Sequence, residues 1–374
     1  MPWIPDVAPV TGRGAKGDRG FREGVALGQR LAQQNAAASR YAVRGVAGAA
    51  TTPAVAAVPA PGGDGAGYRA GVEVGFAPPV SGSWATPENM IHVARRAEQL
   101  GYHSLWAFQR LLVPADLGWS ETYHSVQDPL TTLAFLAAHT ARIRLGVAVL
   151  DMPFISPVVL AKQTATLDIL AGGRLDVGLG LGWADEEYQA TGVSKHRRGH
   201  RAEEFLAVLR TLWQDDVAEH RGEFYQVPPT RLEPKPVQRP HPPILLGGHA
   251  PAALRRAGRL ADGWVSGSQA DLTDIGESVA AVRAAAADAG RDPRSLRFVC
   301  RGVVRVRSTG PAEREPLTGT LEQIRSDLGR LAAAGITELF VDLNFDPEIG
   351  SPRADAGASL RRADEVLDAL APAR

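Results

Sequence analysis

The sequence has little cysteine, no excess of either charge and no long hydrophobic run. Cys300 is the only cysteine among 374 residues, so no disulfide forms within the chain and a reducing, cytoplasmic compartment is expected. Lysine plus arginine total 41, as do aspartate plus glutamate, which argues against a nucleic-acid partner and against electrostatic binding to an anionic membrane. Because no run of about eighteen apolar residues occurs, no membrane-spanning helix is expected.

Large aliphatic residues are scarce in residues 1–70, which are rich in alanine, glycine and proline. Such a segment buries too little apolar surface to offset the entropy of ordering it. We therefore interpret residues 1–70 as a disordered extension and expect the folded domain to cover residues 71–374. A signal peptide within residues 40–60 is the alternative, which Pro53 and the distance from the first residue disfavour.

From Gly71 onward, apolar β-branched segments alternate with helical segments that carry start and stop signals. Thr86-Pro87, Asp128-Pro129 and Ser156-Pro157 each place a capping side chain before a proline at the first helical position. Thr320 and Gln323 form a capping box. A polar, proline-rich insertion separates a helix over residues 199–213 from the fifth strand. The predicted strands are residues 72–77, 103–108, 143–150, 175–180, 244–246, 263–266, 298–306 and 338–343.

This alternation predicts the fold class. Repeated βα units imply a parallel sheet with helices outside it, and eight of them fit a (β/α)₈ TIM barrel with an insertion. An open doubly wound sheet is the alternative, and it usually carries Gly-x-Gly-x-x-Gly after its first strand. The chain reads Pro78-Pro-Val-Ser-Gly82 there, so we favour the barrel.

Two catalytic motifs are also missing. No Gly-x-Ser-x-Gly elbow occurs, which disfavours an α/β-hydrolase. His196 and His200 are four residues apart, but the glutamate of a zinc motif is absent between them and cations surround them. We therefore predict no metal site, and interpret this cationic turn as a solvated helix start or as one that reaches a phosphate.

Glycines follow two of the predicted strands, where ligands bind in barrels. Gly178-Leu-Gly-Leu-Gly182 allows close approach of backbone to a ligand. Leu246-Gly-Gly-His249 leads directly into a helix start, which places free backbone N–H groups at one point and suits a phosphate. Gly267 ends the sixth strand, and Trp264 within that strand is interpreted as core packing.

Several segments taken in order resemble the luciferase-like monooxygenase superfamily, in particular its coenzyme F420-dependent branch. The resemblance covers residues 72–370 and implies a homodimeric barrel that binds a flat, flavin-like ring in its mouth. The segments are 128–146, 157–168, 172–183, 242–248 and 261–264.

The resemblance also implies the positions of cofactor-binding residues. A non-prolyl cis peptide with a supporting bulge would fall at Ala148-Val149 in the third strand. The ring would lie beside Phe76, Val147 and Ala148. The implied cofactor phosphate lies near Gly247, Gly248 and His249, and the chain that carries it lies near Gly180, Gly182 and Trp183.

One departure from the family pattern affects the predicted chemistry. Many deazaflavin-dependent relatives end strand two with an acid–histidine pair, where this chain has Gln109-Arg110. Neither is a good base near neutral pH. The candidate catalytic residues are Gln109 at this position, and Asp151 and Glu186 for proton transfer. Residues 111–127 are interpreted as a lid over the barrel mouth or as part of a dimer contact.

Three functions stay open from the sequence. The first is F420-dependent hydride transfer to or from a small organic substrate. The second is an FMN-dependent monooxygenase that uses reduced flavin and dioxygen. The third is a barrel that binds a cofactor-like ligand without turnover.

Overall fold

A computed structural model describes residues 71–115, 118–308 and 314–372. The predicted extension over residues 1–70 lies outside this range. Eight parallel strands close into a barrel in the order β1-β8-β7-β6-β5-β4-β3-β2, which confirms the predicted fold class. These strands are β1 (Glu73–Phe76), β2 (Ser104–Ala107), β3 (Arg144–Asp151), β4 (Leu175–Gly180), β5 (Ile244–Gly247), β6 (Gly263–Val265), β7 (Arg297–Val303) and β8 (Glu338–Asp342).

A long helix follows each strand and packs outside the barrel. The helices are α1 (Pro87–Leu100), α2 (Pro129–Ala137), α3 (Pro157–Leu170), α4 (Arg198–Gln214), α5 (Pro251–Leu260), α6 (Ile275–Asp288), α7 (Leu321–Ala333) and α8 (Ala356–Ala369). None of the helices in the described ranges is long and apolar enough to cross a bilayer.

The helix starts confirm the capping signals of the sequence. The side chains of Thr86, Asp128 and Ser156 each accept a hydrogen bond from a backbone N–H in the first turn of the helix that follows. Thr320 and Gln323 form both bonds of the capping box that begins α7. These caps satisfy N–H groups that a helix leaves without partners, so the elements begin where the local sequence dictates.

The amino-terminal end of the barrel interior is closed by a buried ionic network. Asp176 accepts hydrogen bonds from Arg144 at 2.7 Å and from Arg297 at 2.6 Å. Glu338 accepts from Arg297 at 2.7 Å and from the Trp106 indole N–H at 2.7 Å. Above this layer, the Trp106 ring stacks on Phe340 with centroids 5.6 Å apart. The interior is therefore filled at this end, and an open cavity lies at the carboxyl ends of the strands.

Three regions differ from the predicted elements. The proline-rich insertion contains an antiparallel hairpin, Ala218–Arg221 with Gln226–Thr230, because a two-stranded ribbon consists of edge strands, where proline is tolerated. The predicted seventh strand is interrupted at Val304, and Arg305–Val306 leaves the barrel to pair with Thr318–Gly319. A short helix after β4, Asp185–Ala190, was not predicted.

Candidate active site

A cavity of about 490 Å³ opens at the carboxyl ends of the strands, within the size range of small-molecule sites. It is lined by most of the residues that the sequence predicts for the site. These are Gln109, Ala148, Asp151, Gly180, Gly182, Trp183, Gly247, Gly248 and His249.

Three predicted residues do not line this cavity. Phe76 is fully buried and meets Tyr102 edge to face, with ring centroids 5.7 Å apart. Val147 also packs in the layer between barrel and helices, because successive side chains of a strand point to opposite faces. Glu186 is partly exposed, whereas the adjacent Glu187 is buried beside the cavity wall.

The third strand carries the irregularity that the resemblance implies. The Ala148–Val149 peptide is cis, and the register of β3 against β4 shifts between Val147 and Leu150. Glycines flank the Val149 side chain, since a Cβ at Gly180 would lie 2.5 Å from it and a Cβ at Gly247 3.0 Å. A bulge changes the direction of a strand next to a site. Here the bulge packs against glycine backbone of β4 and β5.

The end of β5 forms a second glycine-lined wall of the same cavity. Gly248 has φ +125°, which disfavours any side chain, and a Cβ there would lie 2.8 Å from the Ala253 methyl group. Its carbonyl accepts a 2.8 Å hydrogen bond from the Trp264 indole N–H. The helix α5 begins at Pro251, which has no N–H, and the Ala253 N–H donates to the Ala250 carbonyl at 2.8 Å. Its first turn therefore leaves the Ala252 N–H free at this end of the cavity. Trp264 thus braces the turn in addition to its predicted core packing.

Two arginines stand at this glycine-lined end. Arg198, at the start of α4, donates a 2.7 Å hydrogen bond to the Gly182 carbonyl, and no ion pair joins it to a carboxylate of the described residues. The Arg256 Nε is buried without a hydrogen bond, 3.4 Å from a Glu203 oxygen. Both side chains line the cavity, so its glycine-rich end is positively charged.

Asp151 is the carboxylate that lines the cavity. Burial raises its pKa to about 6, and the negative charge of Glu187 adds to the shift, while Arg110 and the Gly182 N–H oppose it. The Gly182 N–H donates to Oδ1 at 2.8 Å. A carboxyl group with a pKa near 6 exchanges a proton readily close to neutral pH.

Arg110 fills a pocket of aromatic rings at the cavity mouth. It donates to Glu187 at 2.6 Å, and the Leu111 N–H donates to the other oxygen of that carboxylate at 2.8 Å. The Arg110 guanidinium lies 4.8–5.4 Å from three ring centroids. These rings belong to Trp119, Tyr123 and Trp183.

Sequence reasoning missed three charged residues at or beside the cavity: Arg256, Arg301 and Glu187. Arg198 belongs to the cationic turn that the sequence analysis interpreted as a solvated helix start or as one that reaches a phosphate. Among the three missed residues, the sequence carried a signal for Arg301 alone. An arginine inside an apolar strand is unusual, and alternation along Arg297-Phe-Val-Cys-Arg301 points both arginines inward. Glu187 could not be told from its neighbours in Asp185-Glu-Glu187, because the short helix that orients them was not recognised.

Comparison with known proteins identifies the fold family. The family model of the luciferase-like monooxygenase domain matches residues 61–370. An uncharacterised protein of Mycobacterium tuberculosis is 34% identical over 212 residues, which cover 54% of this chain and 72% of that protein. These matches confirm the resemblance drawn from the sequence.

Two further relatives carry a described function of their own. The FMNH(2)-dependent dimethylsulfone monooxygenase of Pseudomonas putida is 34% identical over 208 residues, 53% of this chain and 55% of that protein. The structure of an F420-dependent secondary alcohol dehydrogenase superposes with a TM-score of 0.65 at 18% identity, over 80% of this chain and 99% of that one. At that identity the likeness concerns the fold alone.

Proposed function

The chain belongs to the luciferase-like monooxygenase family, and we propose that it is an F420-dependent oxidoreductase that transfers hydride between the deazaflavin and a small organic substrate. One observation carries the proposal. A single cavity joins the bulge at Ala148 and Val149 to the glycine turn at Gly247 and Gly248. A flat ring with a phosphorylated side chain spans two such sites, one apolar and one rich in backbone N–H donors.

The glycine-lined end suits the cofactor phosphate. Gly248 leaves its backbone open to a ligand, and the first turn of α5 supplies the Ala252 N–H together with the positive end of the helix dipole. Arg198 adds positive charge, and so does Arg256, whose buried Nε makes no hydrogen bond and lies 3.4 Å from a Glu203 oxygen. These residues, with His249, would hold the phosphate.

The other end suits the ring. Ala148, Val149 and Gly180 present backbone and small apolar side chains there. Bound deazaflavin supplies a carbon that accepts or donates hydride, so the protein needs to orient the ring, exclude water and manage one proton. We assign the proton to Asp151, whose raised pKa lets it take up or release a proton near pH 6. Gln109 is assigned to positioning Asp151 rather than to acid–base chemistry.

We choose F420 over FMN because of the positively charged side chains next to the end of the cavity that would hold the phosphate. F420 carries carboxylates past its phosphate, whereas FMN ends there. Lys195 and Arg197 before α4 are paired with Asp185 and Glu223, whereas Arg198 at the start of α4 has no carboxylate partner in the described chain. A positive charge without a carboxylate partner beside the phosphate end favours a ligand with an extended anionic tail.

The second candidate is an FMN-dependent monooxygenase that activates dioxygen with reduced flavin. The Pseudomonas putida relative favours it, since that protein is FMNH(2)-dependent and shares 34% identity over about half of each chain. Both candidates place their cofactor in the same cavity, so they differ in affinity and in the use of oxygen.

Titration of the purified protein with F420, FMN and riboflavin separates these candidates. We expect F420 to bind more tightly than FMN, and riboflavin, which lacks the phosphate, to bind most weakly. Arg198→Gln should weaken F420 and FMN binding about tenfold without affecting riboflavin, whereas Arg294→Gln, an exposed arginine before β7 at the opposite end of the barrel, is the control. Tighter FMN binding, with NADH-driven oxygen consumption above that of the flavin reductase alone, favours the second candidate.

Cofactor binding without any turnover would indicate the third candidate function, a non-catalytic barrel. If neither cofactor binds, all three candidate functions are excluded. A panel of small alcohols, ketones and enones, offered with oxidised and reduced F420, tests for turnover. Hydride transfer is followed as the loss or return of the deazaflavin absorbance band.

We also propose a homodimer in which α2 and α3 form the contact. The helix α3 is apolar on the face that packs on the barrel and also on its outer face, where Val158, Val159 and Leu170 are exposed. Phe135 of the neighbouring α2 is exposed too. Exposed apolar clusters of this kind mark contact surfaces. Light scattering should give twice the monomer mass for the wild type and the monomer mass for Val159→Glu.

A further inference from the structure

Arg301 is a buried cation on the inner face of β7. It is 6% exposed and donates a 2.6 Å hydrogen bond from Nη2 to the Ala148 carbonyl. Its guanidinium carbon lies 4.9 Å from the ring centroid of Phe108 and 5.3 Å from that of Phe345. The two aromatic rings and the hydrogen bond to Ala148 together fix the plane of the guanidinium at the bulge of β3.

The hydrogen-bonding capacity of Arg301 is only partly used. Its Nε lies 3.4 Å from Asp342 Oδ2, yet both atoms are buried without a hydrogen bond. Nη1 donates to no residue of the described ranges. Asp342 is held through its other oxygen, which accepts from the Asn344 side chain at 3.0 Å. The guanidinium therefore keeps an edge free on the side away from Asp342.

The cavity wall around this edge combines apolar side chains with the positive charges of arginines. Arg301 lines the cavity together with Phe108, Val149 and Val265. The charged side chains of the lining are Asp151 and the arginines Arg110, Arg198, Arg256 and Arg301. A buried guanidinium binds a carboxylate more strongly than it does a neutral group, because both hydrogen bonds are charge-assisted.

We propose that Arg301 binds the carboxylate of the substrate, and that the substrate is a small organic acid with an apolar body. This inference rests on the proposed function, since it places the acid in the cavity that would hold the cofactor ring. The carboxylate accepts hydrogen bonds from the free edge of the guanidinium. The apolar body lies against Phe108 and Val265, beside the bulge at Ala148.

Benzoate and its neutral isostere benzamide are the probes. Calorimetric titration of the wild type, with and without bound cofactor, should show benzoate binding at least about tenfold more tightly than benzamide. Arg301→Gln should abolish this preference, whereas Arg301→Lys should retain part of it. Arg305→Gln is the control, because Arg305 lies beyond the end of β7, where the chain leaves the barrel, and does not line this cavity.

Equal affinities for the two probes in the wild type, or an undiminished preference in a folded Arg301→Gln variant, would overturn the inference. So would an Arg301→Gln variant that loses cofactor affinity and keeps the benzoate preference, since the arginine would then serve the ring. Failure of the proposed function is distinct, because it appears as absent F420 and FMN binding in the wild type. If Arg301→Gln fails to fold, the preference for benzoate over benzamide in the wild type and its reduction in Arg301→Lys still test the inference.

Discussion

The side-chain oxygen of Gln109 accepts a 2.9 Å hydrogen bond from the backbone N–H of Asp151. The bond links the end of β2 to the end of β3, and the Asp151 carboxylate then accepts from the Gly182 N–H after β4. Three consecutive strand ends thereby fix one carboxyl group at the cavity. Gln109, at the position where the resemblance implies the acid of an acid–histidine pair, thus orients the carboxyl group that follows the next strand.

The raised pKa of Asp151 predicts a pH-dependent contribution to stability. Its pKa is about 6 in the folded chain against an ordinary value of 3.8, so the protonated form stabilises the fold at low pH and this contribution is lost as pH rises from about 4 to about 6. Asp151→Asn removes the effect. Between pH 4.5 and 7.5, urea unfolding should show the wild type losing about 2–3 kcal/mol relative to the variant.

Exposed Asp288 provides the control for this measurement. Asp288→Asn should follow the wild-type pH dependence. If Asp151→Asn does so too, the carboxyl group is ionised throughout this pH range and the proton-transfer role loses its basis.

Glu187 should control the pKa of Asp151. Glu187→Gln removes a negative charge that raises this pKa and leaves the Arg110 charge unneutralised, so the pH-dependent stability step should move below pH 6. Loss of the buried ion pair should also cost about 3 kcal/mol of unfolding free energy. Glu186→Gln, one residue away and partly exposed, should change neither quantity. If both variants shift the step equally, the pKa of Asp151 responds to the net charge of this helix and not to the position of Glu187.

The Gly248 turn predicts a separation of binding from stability. Gly248→Ala places a methyl group on a backbone with φ +125° and 2.8 Å from Ala253, so the turn must shift and F420 or FMN affinity should fall at least about tenfold. Gly101→Ala, at φ +87° in open space at the end of α1, should cost about 1–2 kcal/mol of stability and leave affinity unchanged. Fluorescence titration and thermal unfolding of both variants measure the two effects, and unaltered affinity in Gly248→Ala contradicts the phosphate assignment.

The opposite end of the barrel should affect stability alone. Burial by itself would raise the pKa of Asp176, but hydrogen bonds and charge from Arg144 and Arg297 hold it below the ordinary value. Asp176→Asn leaves these arginines short of a counter-charge and should cost about 3–5 kcal/mol. Because Asp176 lies at the end away from the cavity, cofactor affinity of the folded variant should match that of the wild type. Lower affinity would show that the two ends are coupled.

The amino-acid sequence by itself determined the order of the elements and the end of the barrel at which the candidate site lies. Strand alternation, the caps at Thr86 and Thr320 and the glycines that follow strands are local signals, since each depends on residues a few positions apart. The barrel follows from their repetition, and the glycine turns at Gly182 and Gly248 reach its carboxyl end because every parallel strand ends there.

Only the tertiary structure decided which polar groups meet. Arg301 contacts Ala148 across 153 positions of sequence, and Glu187 rather than Glu186 faces Arg110 because a short helix sets which side chain points inward. The pKa of Asp151 depends on burial and on Glu187, and neither exists until the barrel closes. Such contacts arise from register and packing between distant segments, which no local pattern encodes.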